Sequence, residues 1–228
     1  MWLTNSSIGK KVLMSVTGVA LILFLTFHAC MNVVALINGD AYNSICEFLG
    51  ANWYAVAATA VLAALVVLHF AYAIVLTLQN RSARGTSRYA VTAKPDKVEW
   101  ASQNMFVLGL IVVLGLLLHL YNFWFNMMFA ELAFDEITAL HASDGMYYIQ
   151  QTFSCPVYAI LYIVWLVALW FHLSHGFWSA LQTLGINGKI WFNRWRTIGN
   201  VWVTVVVLMF IAVVVAFALC PACTTCVG

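Results

Sequence analysis

Apolar residues fall into five long runs along the chain, separated by short segments that hold almost all of the charged residues. The runs cover approximately residues 12–37, 53–78, 103–129, 156–181 and 198–219. Each is long enough to cross about 30 Å of hydrocarbon, which takes roughly 20 residues in an α-helix. The pattern predicts an all-α integral membrane protein with five transmembrane helices, forming a single domain over residues 1–228.

Composition agrees with this prediction. Of 228 residues, 64% are hydrophobic and 8% are charged, too few to give a soluble globule of this size a polar surface. The first run follows the pair Lys10-Lys11 and is too long for a removable signal peptide, and it has no A-x-A-like cleavage site after it. We therefore expect a multi-pass membrane protein with no nucleic-acid partner.

Basic residues occur only before the first run, between the second and third, and between the fourth and fifth. They are Lys10, Lys11, Arg81, Arg84, Arg88, Lys94, Lys97, Lys189, Arg194 and Arg196. These segments share one side of the membrane, and the positive-inside rule makes that side cytoplasmic. We expect the N-terminus inside and the C-terminus outside. A basic inner face could attract anionic lipid or dock a soluble partner, although topology alone also explains it.

Acidic residues mark the opposite side, with only Asp96 and Glu99 on the inner one. The outer loops hold Asp40, Glu47, Glu131, Asp135, Glu136 and Asp144. All six cysteines also lie at or beyond outer helix ends: Cys30, Cys46, Cys155, Cys220, Cys223 and Cys226. The tail CPACTTC resembles part of an iron–sulfur run but lacks a nearby fourth ligand, so we favour disulfides or free thiols over a metal there.

Histidines are the ionisable residues near the middles of these runs. His28, His69, His119 and His172 occur one in each of the first four predicted helices. An imidazole inside a bilayer is costly unless it is hydrogen-bonded or ligated, which makes each one a functional candidate. A single membrane histidine is more often a helix–helix hydrogen-bonding residue, but four at matched depths are not typical of that role.

Depth separates the four histidines into two pairs. Counted from the inner helix ends at about 1.5 Å per residue, His28 lies ~24 Å deep and His119 ~24–27 Å, whereas His69 and His172 lie ~13 Å deep. Two histidines at one depth on different helices can supply both axial nitrogens of a haem iron. We therefore predict an outer haem b held by His28 and His119, and an inner haem b held by His69 and His172, about 12 Å apart in depth.

Such bis-histidine haems have no open coordination position and suit electron transfer. Gly115 and Gly176 share helix faces with His119 and His172 and could let a macrocycle approach, or could simply pack helices. His175 and Trp178 are candidates for a haem propionate or quinone contact near the inner haem; interhelical bonding and interface anchoring are the alternatives. Most other tryptophans, Trp202 among them, are expected to anchor helix ends at the interface.

Two stretches carry a family resemblance. SSIGKKVLMSVTGVALILFLTFHACMN, with its Lys pair, Gly18, His28 and Asn32, resembles the first helix of the cytochrome b subunit of succinate:quinone oxidoreductases. FHLSHGFWSALQTLGI, from Phe171 to Ile186, resembles that family's His-x-x-x-Gly ligand helix. Five helices with histidines in the first four match the family's single-subunit, two-haem branch, the membrane anchor of succinate dehydrogenase or fumarate reductase.

The resemblance implies the same ligand pairs and a place in the bacterial inner membrane. It implies two partners on the cytoplasmic face: a flavoprotein subunit carrying FAD and an iron–sulfur subunit that exchanges electrons with the inner haem. Menaquinone is the implied substrate, and Asn32, Glu47 and His141 could contribute polar groups to a quinone site near the outer haem. Where some two-haem members have a proton-linked carboxylate this chain has Trp170, and His175 stands where relatives often have Asn.

Two other functions remain compatible with the sequence. The membrane cytochrome b of a hydrogenase, formate dehydrogenase or nitrate reductase also uses paired helix histidines, usually with more than one ligand on a helix. A haem-free transporter or scaffold could use the histidines only to join its helices.

Overall fold

A computed structural model describes residues 6–84, 100–134, 141–186 and 188–219. These residues are helical apart from short turns, and no strand occurs among them. Several predicted features lie outside the described residues: the basic segment with Arg88, Lys94 and Lys97, the acidic residues Asp96, Glu99, Asp135 and Glu136, and the tail cysteines Cys220, Cys223 and Cys226.

Five helices in the described residues are long and apolar enough to cross a membrane, which confirms the predicted number. We number them as spans one to five: Ser7–Ile37, Trp53–Arg84, Met105–Ala133, Pro156–Thr183 and Trp191–Leu219. Large apolar side chains on every span point outward, among them Leu23, Val67, Leu114, Val164 and Val205. A surface of this kind suits lipid, and the chain has the architecture of a multi-pass membrane protein.

The helices extend past the apolar runs, mostly at the ends that carry the basic residues. Span one begins at Ser7 because Ser6 caps it, accepting a hydrogen bond from the Gly9 amide at 2.9 Å. Span five begins at Trp191, seven residues before the apolar run. The run starts later because the first turns of this helix are polar and aromatic. Trp202 therefore lies well inside span five, and the expectation that it anchors a helix end is wrong: its Nε1 donates to Thr26 Oγ1 of span one at 3.0 Å.

Span three is not a continuous α-helix. It is α-helical over Met105–His119, π-helical over Leu120–Phe129 and α-helical again over Ala130–Ala133. A π-helix is rare in proteins and is often found next to functional positions. Here it begins immediately after His119, a change of helix type that hydrophobic periodicity does not reveal.

Two short helices, Gly39–Phe48 and Gly145–Phe153, form a cap on the end of the bundle that carries the acidic residues. Asp144 caps the second helix through the Tyr147 amide (3.0 Å) and also accepts from Asn43 Nδ2 of the first (2.9 Å). Asn43 Oδ1 in turn accepts from the Met146 amide at 2.9 Å. Gly145 lies so close to Tyr42 and Cys46 that a Cβ there would overlap both side chains.

The spans form a bundle in which neighbours pack and diagonal partners do not. Span one packs against spans two, four and five, span three packs against span four, and span five packs most extensively against span four. Within the described part of the chain, spans one and three do not pack along their lengths, and neither do spans two and four. The histidine pairs predicted from depth therefore belong to helices that face each other across the bundle.

Tryptophan indoles connect several of these neighbours. Trp165 Nε1 donates to the Val112 carbonyl at 3.0 Å and joins spans four and three, while Trp170 Nε1 donates to Thr204 Oγ1 at 2.9 Å and joins spans four and five. In an apolar interior each such bond satisfies an indole N–H that has no water available. Trp165 and Trp170 thus each join span four to a neighbouring helix.

A close contact between spans four and five predicts an effect on stability. Gly199 lies against the ring of Phe177, and a Cβ added there would overlap it. Gly199→Ala should lower the stability of the detergent-solubilised protein by about 1–3 kcal/mol, the usual cost of overpacking. Gly176→Ala is the matched control, because its Cβ would meet only Met105 Cε at 3.8 Å. Thermal unfolding midpoints measure the difference; equal midpoints would contradict this packing.

Candidate haem-binding site

The structure brings the four membrane histidines together in two pairs across the bundle. The rings of His28 and His119 have centroids 5.8 Å apart and planes at 82°. The rings of His69 and His172 have centroids 6.4 Å apart and planes at 72°. We call these the outer pair and the inner pair. The pairing of spans one with three and two with four is the one that the depth count predicted.

The separation of the rings is suited to one metal ion between them. A metal–imidazole bond is about 2 Å long and the ring centre lies about 1 Å behind the nitrogen, so two axial imidazoles place their ring centres about 6 Å apart. Both observed distances are close to that value. In the described residues no three side chains of His, Cys, Asp or Glu converge on a possible metal site. A haem iron needs only two protein nitrogens, because its porphyrin supplies the other four.

Hydrogen bonds around His69 leave the nitrogen that a metal needs. Thr17 Oγ1 lies 2.9 Å from the Leu13 carbonyl and 3.0 Å from the Met14 carbonyl, so its one hydrogen points to its own helix. The Thr17 oxygen therefore accepts from His69 Nδ1 at 3.1 Å. With its hydrogen on Nδ1, His69 keeps the lone pair of Nε2 for ligation, and the threonine fixes the ring orientation.

Asn32 contacts His28 from one turn further along the same helix. The side chain of Asn32 donates from Nδ2 to the His28 carbonyl at 2.8 Å and accepts at Oδ1 from the Tyr42 hydroxyl at 3.3 Å. Its Nδ2 also lies 3.4 Å from His28 Nε2, and since an amide nitrogen only donates, the lone pair of Nε2 accepts in this long contact. Burial raises the pKa of the Tyr42 phenol, so its hydroxyl remains a donor to Asn32.

His172 has a different environment. Its Nδ1 is buried and meets no hydrogen-bond partner among the described residues. Gly109 of span three lies against this ring: a Cβ added to Gly109 would be 3.6 Å from His172 Cε1. A buried polar nitrogen without a hydrogen bond costs about 1–3 kcal/mol of stability. Packing alone therefore does not explain why a histidine occupies this position. Together with the ring spacing and the lone pairs on His28 and His69, this fits a bis-histidine haem at each level.

Aromatic side chains surround the outer pair. The Phe24 ring stacks on His28 at 5.5 Å, and Phe210 of span five lies 5.6 Å from the same imidazole. His119 meets Phe123 at 5.1 Å and Trp165 at 5.9 Å. These rings give the outer pair apolar surroundings.

The candidate positions away from the histidine pairs divide into two groups. Asn32 joins the outer pair, as described above. Glu47 and His141 do not: Glu47 is exposed on the far side of its helix from Tyr42, and His141 is exposed and stacks on Tyr147 with centroids 4.2 Å apart. Glu131, like Asp144, makes a structural contact at this end, accepting from the Ala51 amide at 3.2 Å.

His175 and Trp178 come together at the basic end of the inner pair, with ring centroids 4.8 Å apart. Phe192 lies 5.5 Å from Trp178, and the Arg196 guanidinium lies over both rings, at 5.7 Å from Trp178 and 5.8 Å from Phe192. Sequence reasoning did not single out Arg196. His175 and Trp178, one to two turns beyond His172, and Arg196 of span five form a surface suited to an anionic carboxylate.

The two glycines near the ligands have different neighbours. A Cβ on Gly115 would overlap the Trp165 indole, so the space over this glycine is occupied by a helix-packing side chain. Gly176 has only the Met105 methyl nearby. Gly18, by contrast, lies against the inner pair: a Cβ added to it would be only 3.3 Å from His69 Cε1. Thr17 is eleven residues before His28, which is about three helical turns, so Thr17 lies on the same face of span one as His28. This spacing could have predicted that Thr17 and its neighbour Gly18 face the histidines.

The chain matches no family model, no curated protein and no solved structure. Functional conclusions therefore depend on the residues themselves.

The cap over the outer pair predicts an unreactive thiol. Burial raises the pKa of the Cys46 thiol, which lies against Tyr42 and Gly145. Because the thiolate is the reactive form, Cys46 should be alkylated several-fold more slowly in the folded protein than in the unfolded one near pH 8.5, and the folded rate should rise only at higher pH. Mass spectrometry of a variant whose other five cysteines are serine measures this. Equal folded and unfolded rates would contradict the burial of Cys46.

Proposed function

We propose that this chain is the di-haem cytochrome b subunit of a succinate dehydrogenase or fumarate reductase complex in the bacterial inner membrane. It anchors the complex and transfers electrons between an iron–sulfur subunit and a quinone, with menaquinone as the expected substrate. The observation that carries this proposal is the meeting of four histidines in two pairs, at two depths, on diagonally opposite spans. Dicarboxylate chemistry belongs to the partner flavoprotein, which carries FAD.

In this proposal His28 and His119 hold the outer haem b, and His69 and His172 hold the inner one. A bis-histidine haem supplies a one-electron carrier with both axial positions occupied. Thr17 orients His69 through its Nδ1, which leaves the Nε2 lone pair for the iron and limits the motion of that ring. The surrounding aromatic and aliphatic side chains exclude water from the outer pair.

The two ends of the bundle suit different partners. The basic end carries Lys10, Lys11, Arg81, Lys189, Arg194 and Arg196 in the described residues. A docked iron–sulfur subunit at this end would be nearer to the inner pair, with His175, Trp178 and Arg196 between them. At the acidic end the Tyr42 hydroxyl and the Asn32 amide lead from the cap to His28, and they provide the polar groups that a quinone oxygen near the outer pair requires.

Removing one ligand should remove one haem. His28→Ala or His119→Ala should lower the haem content of the purified protein from two per chain to one and abolish quinone activity, because a single remaining imidazole leaves the iron without its second axial nitrogen. Succinate oxidation with an artificial acceptor should persist in the complex. The measurement is the dithionite-reduced minus oxidised b-type absorbance per chain, and His141→Ala is the control that should retain both haems.

That measurement also discriminates between the competing functions. A wild-type protein with no reducible b-type absorbance would contradict the proposal and favour a haem-free transporter or scaffold. Co-purification with hydrogenase or formate dehydrogenase subunits, in place of a flavoprotein and an iron–sulfur protein, would keep the haems and change the complex.

The Thr17 contact predicts a selective effect on the inner haem. Thr17→Val keeps the shape of the side chain but removes the oxygen that accepts from His69 Nδ1, so His69 becomes a weaker electron donor. The midpoint potential of the inner haem should become more positive and its retention roughly tenfold weaker, with no change in the outer haem. A redox titration of both haems tests this, with Thr204→Val as the control, since Thr204 accepts only from Trp170 among the bonds described above. Equal shifts of both potentials would contradict the assignment.

A further inference from the structure

Trp165 lies between the outer and inner pairs. Along span three, Gly109 contacts His172 of the inner pair, Val112 and Gly115 contact Trp165, and His119 belongs to the outer pair. Trp165 itself is seven residues from His172 on span four, which is about two turns, so both side chains lie on the same helix face roughly 10 Å apart. The order of contacts from one level to the other is therefore His172, Trp165 and His119.

The indole of Trp165 is fixed on three sides. Its Nε1 donates to the Val112 carbonyl at 3.0 Å, and its five-membered ring rests directly on Gly115, where a Cβ would overlap it. The Tyr162 ring packs on it edge to face with centroids 5.7 Å apart. A hydrogen bond across to span three, together with the absence of a side chain at Gly115, holds the indole in one orientation.

The fixed indole contacts the imidazole of His119. The two rings have centroids 5.9 Å apart and planes at 31°. Phe24 makes a corresponding contact with His28, with centroids at 5.5 Å and planes at 15°. Phe24 is seven residues from Thr17, which contacts His69, so Phe24 and Trp165 lie at the same distance from the inner pair, about 10 Å. We call these two side chains the aromatic layer.

We propose that Trp165 is a positioning residue that sets the ring orientation of His119 and keeps the outer and inner haem sites separate. This inference rests on the proposed function. A porphyrin bound by His28 and His119 would have the aromatic layer on the side facing the inner pair, where the indole fills the space that either macrocycle would otherwise enter. The geometry makes the outer site depend on Trp165 and leaves the inner site, held by Thr17 and Gly109, independent of it.

Electron paramagnetic resonance of the oxidised protein reports this role directly. In a low-spin ferric bis-histidine haem the largest g value rises as the two imidazole planes approach a right angle, because the iron orbitals then become nearly equal in energy. The outer rings are close to that limit at 82°. Release of His119 from its indole contact can therefore only lower the largest g value of the outer haem.

The experiment uses the purified complex with Trp165→Leu, Trp165→Phe and the control Trp170→Phe, which removes an equivalent indole hydrogen bond between spans four and five. We expect Trp165→Leu to lower the largest g value of the outer haem signal, or to remove that haem alone. Trp165→Phe keeps a ring against His119 and should restore most of the wild-type signal. The inner haem signal should be unchanged in all three, with the His28→Ala protein identifying which signal is which.

Unchanged signals in Trp165→Leu, or an identical change in Trp170→Phe, would overturn the inference while leaving the proposed function intact. A change confined to the inner haem would overturn it as well. If Trp165→Leu does not fold, Gly115→Ala decides, because its Cβ would overlap the indole and displace it from His119: a lower largest g value of the outer haem signal supports the inference, and an unchanged outer signal opposes it. Failure of the wild-type complex to bind two haems would instead refute the proposed function, and it is detected before any variant is made.

Discussion

An imidazole in the interior of a membrane bundle has no water to bond, and the rest of this structure follows from how that constraint is met. The hydroxyl of Thr17 and the amide of Asn32 bond atoms of His69 and His28, while Nδ1 of His172 has no partner among the described residues. Of these contacts, the one from Thr17 fixes a ring orientation, that of His69. In the described residues spans one and three, and spans two and four, lie diagonally across the bundle, and the histidine rings meet in the space between them.

The large features of the fold could be predicted because they depend on the solvent. Hydrocarbon requires long apolar helices, so five spans could be predicted from the sequence, and the rings meet in the same two pairs that the depth count predicted. The helix ends could not be predicted as well. Polar and aromatic turns continue the helix beyond the hydrocarbon, and hydropathy does not detect them, as the start of span five at Trp191 shows.

Features that depend on particular contacts between helices were out of reach. The π-helix after His119 and the position of Trp165 over Gly115 require knowledge of which faces meet. The same limit applies to the polar candidates. Asn32 is one turn from His28 on the same helix, so its position beside that residue can be predicted. Glu47 and His141 share only an end of the bundle with the outer pair, and the sequence does not tell whether they contact it. The short capping helices could have been anticipated from Asn38 and Asp144, whose side chains cap them.

Span one has a particular place in this arrangement because one face of it serves both levels. Thr17 and Gly18 touch His69, and His28 meets His119 about three turns further along the same helix. A helix is stiff over that distance, so a rotation of span one about its axis would move its contacts at both levels in the same sense and at the same time. The two sites are thus linked mechanically through span one. A partner or lipid that rotated this helix at one end of the bundle would also change the contacts of the histidine pair at the other end.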